Sequence, residues 1–190
     1  GNKNKSMSVP GASLCANLQL TVKTHKPAGD VGFRNIHASP GYAFAGLASW
    51  LSRVCLLRLR GCEHLIRDSG ILCGMLAQRT FDEGMHFLKF DIKEFDMSGV
   101  HSQLINVVSS AFTGALRALL TDTLWLVMGS RCVTASEHPQ RAWRVLEGSG
   151  MGLRHSGELP DLAFGVQCER DYACVPAMQL YHEISLHVRF

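Results

Sequence analysis

Three groups of residues have the type and spacing to do chemistry. The first is Asp91, which ends the apolar run Phe87-Leu88-Lys89-Phe90. Ile92, Lys93, Glu94, Phe95 and Asp96 follow, before the bend Met97-Ser98-Gly99. A strand fixes the direction of a carboxylate at its end while the tip reaches a cleft, which suits a metal ligand. Leaving such a carboxylate buried and unpaired costs on the order of several kcal/mol. Asp91 therefore meets either a metal ion or a cation such as Lys89, Lys93 or a nearby arginine.

The second group is the stretch GSGMGLRHSGELPDLAF, from Gly148 to Phe164. Glycines ahead of a helix let a ligand approach the backbone closely, and the helix start favours anions. No Gly-Lys-Ser/Thr follows, so the spacing is not that of a phosphate-binding loop, and the context is not that of a dinucleotide fingerprint. The plain alternative is a turn with Ser156 as an N-cap and Glu158 in the first helical turn. The third group is basic: Lys23, His25, Lys26 and Arg34, on two strands of one expected hairpin. Such a cluster suits phosphates or a solvated face.

The elements that must position these residues are legible in outline. Leu18 to Pro27 alternates apolar and polar residues and stops at proline. The stretch 33–39 repeats the pattern after a turn, which gives a hairpin. Ala43, Leu47, Trp50, Leu51, Val54 and Leu57 recur at helical spacing up to Gly61. A short helix is expected over 68–80, a strand up to Asp91, a helix from about Val100 to Leu120 and a second one over Asp122 to Met128. SRCVTA and RAWRVLE read as strands joined by the loop SEHPQ. The stretch 158–173 is amphipathic and helical, with Pro160 in its first turn, where proline is tolerated. Ile184 to Phe190 reads as a strand. Hairpins mixed with helices, without regular βαβ alternation, give an α+β class.

A chain of 190 residues with 46% apolar residues can bury one sizeable core. The net charge of +3 is weak evidence for a polyanionic partner, so local placement of charge matters more. No charge-free apolar run reaches about 18 residues, so no membrane span is expected, and the start has no apolar signal-peptide core. The seven cysteines lack paired CxxC spacing and read as reduced packing residues of an intracellular protein, nuclear or cytoplasmic. A zinc site from Cys168, Cys174 and His182 is the weaker alternative. The lack of a starting methionine and the abrupt end at SLHVRF lead to the expectation of a fragment.

Taken in order, the three groups resemble a reverse transcriptase, an RNA-directed DNA polymerase. FLKFDIKEFDMSG resembles the first palm motif, and GMGLRHSGELPDLAF is similar to the second, with Gly152, Ser156, Leu159 and Asp161 at its spacing. VKTHKPAGDVGFRNIHAS resembles the fingers segment of Penelope-like retroelements, with Asn35 where their pattern has proline. HLIRDSG looks like the Asp-Ser step that precedes their first palm motif.

The resemblance spans about residues 18–190 and implies a right-hand polymerase fold: fingers plus a partial palm, with an antiparallel sheet packed on helices. Residues 1–85 would be fingers-like, 86–100 the palm strand, 101–147 further fingers elements and 148–190 palm. Asp91, assisted by the Ile92 carbonyl, would hold the Mg²⁺ or Mn²⁺ ions of a two-metal nucleotidyl transfer. Lys23, Lys26, Arg34, Phe95, Asp96 and Gly152 would contact the incoming dNTP. Gly150, Met151 and Ser156 would pack against the RNA template and DNA primer.

The sequence departs from that pattern in two places. The third palm motif, an aromatic and two aspartates, would follow Phe190, and no Asp-Asp pair occurs in the chain. The expectation is a chain that does not polymerise alone, with an open palm-sheet edge and poor solubility. Asp96 stands where reverse transcriptases keep an aromatic sugar gate, and Asp91-x4-Asp96 has the spacing of RNA-dependent RNA polymerases. Relaxed sugar choice, decay of the position and a shifted strand register all account for it. The competing functions are a catalytically dead nucleic-acid-binding module and an RNA-dependent RNA polymerase.

Overall fold

The computed structural model of the protein describes residues 13, 15–23, 29, 31–39, 41–62, 65–66, 68–81, 92, 94–169 and 187–188. The strand expected up to Asp91, together with Asp91, Lys93, His25 and Lys26, lies outside them. The alternating stretch at the start forms β1 (Cys15–Val22), and Phe33–Ala38 forms β2. The two pair antiparallel from Asn17↔Ala38 to Val22↔Phe33, so the expected hairpin is present.

Helix α1 (Ala45–Leu59) follows, but with a different face inward. Ala48, Leu51, Cys55 and Leu59 are buried, Leu47, Trp50 and Val54 pack at the margin, and Leu57 is 62% exposed. The sequence of α1 is apolar nearly all round, so periodicity alone does not choose the face. The Cys55 thiol is pushed up to about 12 by burial, with Glu158 adding to the effect, as suits a packing residue. After β3 (Leu65–Ile66), helix α2 (Ser69–Ala77) starts at Asp68, whose Oδ1 accepts from the Gly70 N–H at 2.6 Å. The Asp-Ser step is thus an N-cap.

The single helix expected from Val100 to Leu120 is instead a pair, α3 (His101–Ser110) and α4 (Gly114–Gly129), and α4 absorbs the separate helix expected over Asp122 to Met128. The break falls at Thr113, which is extended, and Gly114, whose φ is +60°. It has a packing cause. The pair folds into a helical hairpin that buries Ile105, Val108 and Phe112 with Leu120, Leu124, Val127 and Met128. Thr121 Oγ1 donates to Ser109 Oγ across the pair at 2.9 Å.

Strands β4 (Cys132–Ala135) and β5 (His138–Arg144) are antiparallel, and only two residues join them. Pro139 lies within β5, which is tolerable because β5 is the sheet edge. The sheet order is β2-β1-β4-β5. It is mixed rather than antiparallel throughout, because β4 pairs parallel to β1. Parallel neighbours need a long crossover, and α1 to α4 supply it. The amphipathic stretch expected as one helix over 158–173 is α5 (Glu158–Phe164), followed by a π turn over Gly165–Glu169. The terminal strand is described only at β6 (His187–Val188), parallel to β3. The fold is α+β, with its core between α1, α3, α4 and α5.

That core makes a simple contrast. Leu120 is fully buried and its neighbour Leu119 is 56% exposed. Leu120→Ala should cost about 2–5 kcal/mol and Leu119→Ala within about 0.5 kcal/mol, read as denaturant midpoints at constant slope.

Candidate functional site

Gly148 to Gly152 is the point where the separate sequence motifs meet. Gly148 has φ +71° and Gly150 φ +79°. A Cβ on Gly148 would lie 2.5 Å from the Met97 Cα, and one on Gly150 would overlap the Arg131 guanidinium and sit 2.7 Å from His37 Nδ1. Only glycine suits both positions, for conformation and for space.

Hydrogen bonds tie the turn to the segment that follows Asp91. The Gly150 N–H donates to the Asp96 carbonyl at 3.0 Å, and the Gly148 N–H to the Gly99 carbonyl at 2.8 Å. The Ser149 hydroxyl lies 2.7 Å from the Ser156 carbonyl and 3.1 Å from that of Asp96, and donates its proton to one at a time. On its other side the turn joins the hairpin: the His37 N–H donates to the Met151 carbonyl at 2.8 Å, and Met151 bridges to Ile36.

Beneath the turn lies Arg131, 3% exposed. Nη1 donates to the Ser149 carbonyl at 2.5 Å and to that of Gly148 at 3.3 Å. Nη2 lies 3.1 Å from His37 Nδ1. A guanidinium can only donate, so His37 Nδ1 accepts and the imidazole is neutral. Burial, and then the Arg131 charge, hold His37 down at about 4. Burial also lowers Arg131 itself to about 10, partly opposed by Tyr42, which leaves it charged at neutral pH. His101 Nε2 lies 3.1 Å from the Gly148 carbonyl and donates to it. Burial and Arg131 lower its pKa, against that bond. His155 is fully buried with no hydrogen-bond partner on either ring nitrogen. Burial first, then Arg131 and His101, hold it at about 3.

The sequence-derived site residues are distributed around this junction. Arg34 is exposed and shares a face of β2 with Ile36, whose Cγ2 lies 2.9 Å from where a Gly152 Cβ would be. Lys23 follows on the same hairpin face, its N–H donating to the Gly32 carbonyl at 2.8 Å. Gly150, Met151 and Gly152 are in the turn itself. Asp96 is half-buried and reaches the turn through its carbonyl. The Phe95 ring packs edge-on against Phe164, 5.9 Å between centroids. Ile92 is exposed. Ser156 is buried and does not cap α5. Its hydroxyl donates to the Leu153 carbonyl at 2.7 Å, because the turn continues through Gly157, the residue at the N-cap position. Glu158 does occupy the first turn of α5 and accepts from Ser52 Oγ at 3.1 Å.

Ser149 and His155 lie in the glycine stretch singled out in the sequence, but neither they nor Arg131, His37 and His101 carry a signal of their own. The five come from four separate segments, and the tertiary fold brings them together. Among the described residues no group of three or more His, Cys, Asp or Glu side chains could hold a metal ion, and no helix is long and apolar enough to cross a membrane. The chain matches no known family model, no curated protein and no solved structure.

Two outcomes follow. Gly150→Ala should cost about 2–4 kcal/mol, from positive φ plus overlap with Arg131, whereas Gly114→Ala, with positive φ but open space around it, should cost about 1 kcal/mol in the same denaturant titration. The second is acid sensitivity. His37 and His155 titrate lower in the folded chain than the ordinary 6.5, so the unfolded chain binds more protons below that value. Their contribution is full above about pH 6.5 and is lost as pH falls through the folded values near 4 and 3. Melting temperature should drop across that window, and His155→Leu should flatten the slope.

Proposed function

We propose that this chain is the fingers and part of the palm of a reverse-transcriptase-like nucleotidyltransferase, acting on an RNA template, a DNA primer and dNTPs. The observation that carries the reading is the hydrogen-bonded docking of the Gly148–Gly152 turn. The turn takes the Asp96 carbonyl on one side and β2 on the other. Three segments that resemble separate polymerase motifs, far apart in sequence, thereby share one junction.

In this reading the residues have distinct tasks. Lys23 and Arg34 bind phosphates from the hairpin face beside Gly152, and Lys26 joins them. Gly152, exposed at the end of the turn, offers its backbone to the nascent base pair, while Met151 and the buried Gly150 back it and Arg131 holds the turn from below. Ser156, buried under the turn, positions it rather than touching nucleic acid. Phe95, seated on Phe164, sets the height of Asp96 next to the sugar. Asp91 and the Ile92 carbonyl would hold the Mg²⁺ or Mn²⁺ ions, which would supply Lewis-acid activation of the attacking hydroxyl.

The second reading is a nucleic-acid-binding module without polymerisation. Both readings predict that the chain binds a fluorescent RNA–DNA primer–template. Lys23→Ala with Arg34→Ala should weaken binding about tenfold and lower the salt slope by about 2. Absence of salt-dependent binding would remove both. Mg²⁺-dependent primer extension abolished by Asp91→Asn selects the enzyme; binding without extension selects the module. If extension occurs, an unchanged ribo- to deoxynucleotide ratio in Asp96→Phe excludes a sugar-gate role for Asp96.

A further inference from the structure

Two cysteines that the reading above does not use stand side by side in the sheet. β1 and β4 run parallel, and Cys15 is the register partner of Cys132. Register partners on neighbouring strands are separated by about 4.8 Å, with side chains on one face. That spacing falls inside the Cα window of roughly 4.4–6.8 Å that a disulfide requires. Both side chains are partly exposed. The other described cysteines sit elsewhere: Cys55 within α1, Cys62 just after it, Cys73 on α2 and Cys168 in the π turn.

The surroundings of the pair set how fast it reacts. Burial, and then the interaction of the protonated Cys132 thiol with Cys15, push the Cys132 thiol up to about 11. The exposed Arg144 is the register partner of Cys132 from the β5 side. On β1, the Ser13 hydroxyl donates to the Cys15 carbonyl at 2.8 Å. A thiol that keeps its proton exchanges slowly, so the pair responds to sustained oxidation rather than to brief exposure.

We infer that Cys15 and Cys132 form a redox modification site, an intrachain disulfide that clamps β1 to β4 when the chain meets a small-molecule disulfide. One protein thiol loses its proton and attacks the small disulfide, forming a mixed disulfide and releasing one small thiolate. The second protein thiolate attacks the protein sulfur of that mixed disulfide and displaces the other small thiolate. Two protein thiols and one small disulfide become one protein disulfide and two small thiols, with two electrons passing from protein to small molecule. The clamp closes a loop that contains α1 to α4 and fixes the hairpin bearing Lys23 and Arg34 to β4. The inference is independent of any polymerase activity.

The test uses the full chain with Cys73→Ser, which removes an exposed thiol. Equilibration with oxidised glutathione, alkylation, digestion and mass spectrometry should yield a Cys15–Cys132 cross-linked peptide in the monomer fraction. The melting temperature should rise by roughly 5–15 °C, reversed by dithiothreitol. Cys15→Ser and Cys132→Ser should each lose the cross-link and the shift. If neither variant folds, the cross-linked peptide and its reversal in the parent decide the question. Separate glutathionylation or alkylation of the two cysteines, or only intermolecular cross-links, would overturn the inference.

Discussion

The junction of this protein depends on one buried guanidinium. Arg131 is separated from α4 by one residue and immediately precedes β4, so it is anchored from both sides. It spends its donors on backbone carbonyls of a glycine turn and on one imidazole nitrogen. Burying a guanidinium is costly unless its donors are met, and the turn meets them only while it keeps its positive-φ geometry. The dependence is reciprocal: the turn is held because the arginine is satisfied, and the arginine is tolerated because the turn is held. His37 takes part only as a neutral acceptor, which ties the hairpin to the same condition. His101 adds a second donor to the Gly148 carbonyl. The turn is therefore fixed from the helical layer and from the sheet together.

How much of this was legible in the sequence depends on the range of the interaction that decides it. The β1–β2 hairpin was readable because alternation and a local turn are short-range signals. Helix α1 was readable as a helix, but its inward face was not, since Leu57 is as apolar as Leu59 and only the packing partner distinguishes them. The α3–α4 break was missed because Thr113 and Gly114 are weak breakers by themselves. What decides the break is that residues of both helices, Phe112 and Leu120 among them, share one buried core when the chain folds back.

The site divides the same way. The turn is conspicuous in the sequence because of its three alternate glycines, and the hairpin, itself readable, places Lys23 and Arg34 on one face. Arg131 falls in SRCVTA, whose pattern is that of a strand, and His37, His101 and His155 belong to no motif of their own. Nothing within ten residues of any of them indicates the others. Ser156 was assigned a cap because Ser-x-Glu precedes an apolar run. The chain instead turns once more, and the hydroxyl bonds back to Leu153.

The parallel pairing of β1 with β4 also bears on the order in which the chain folds. Antiparallel β1–β2 and the α3–α4 hairpin use contacts that are close in sequence and can form early. The β1–β4 register joins residues at opposite ends of the helical region, so its loop-closure entropy is met only after those helices have collapsed. Until β4 is synthesised and packed, the edge of β1 at Cys15–Leu18 has no strand beside it. The interval between making the first strand and pairing it is therefore the stage at which this chain is most exposed to intermolecular strand addition.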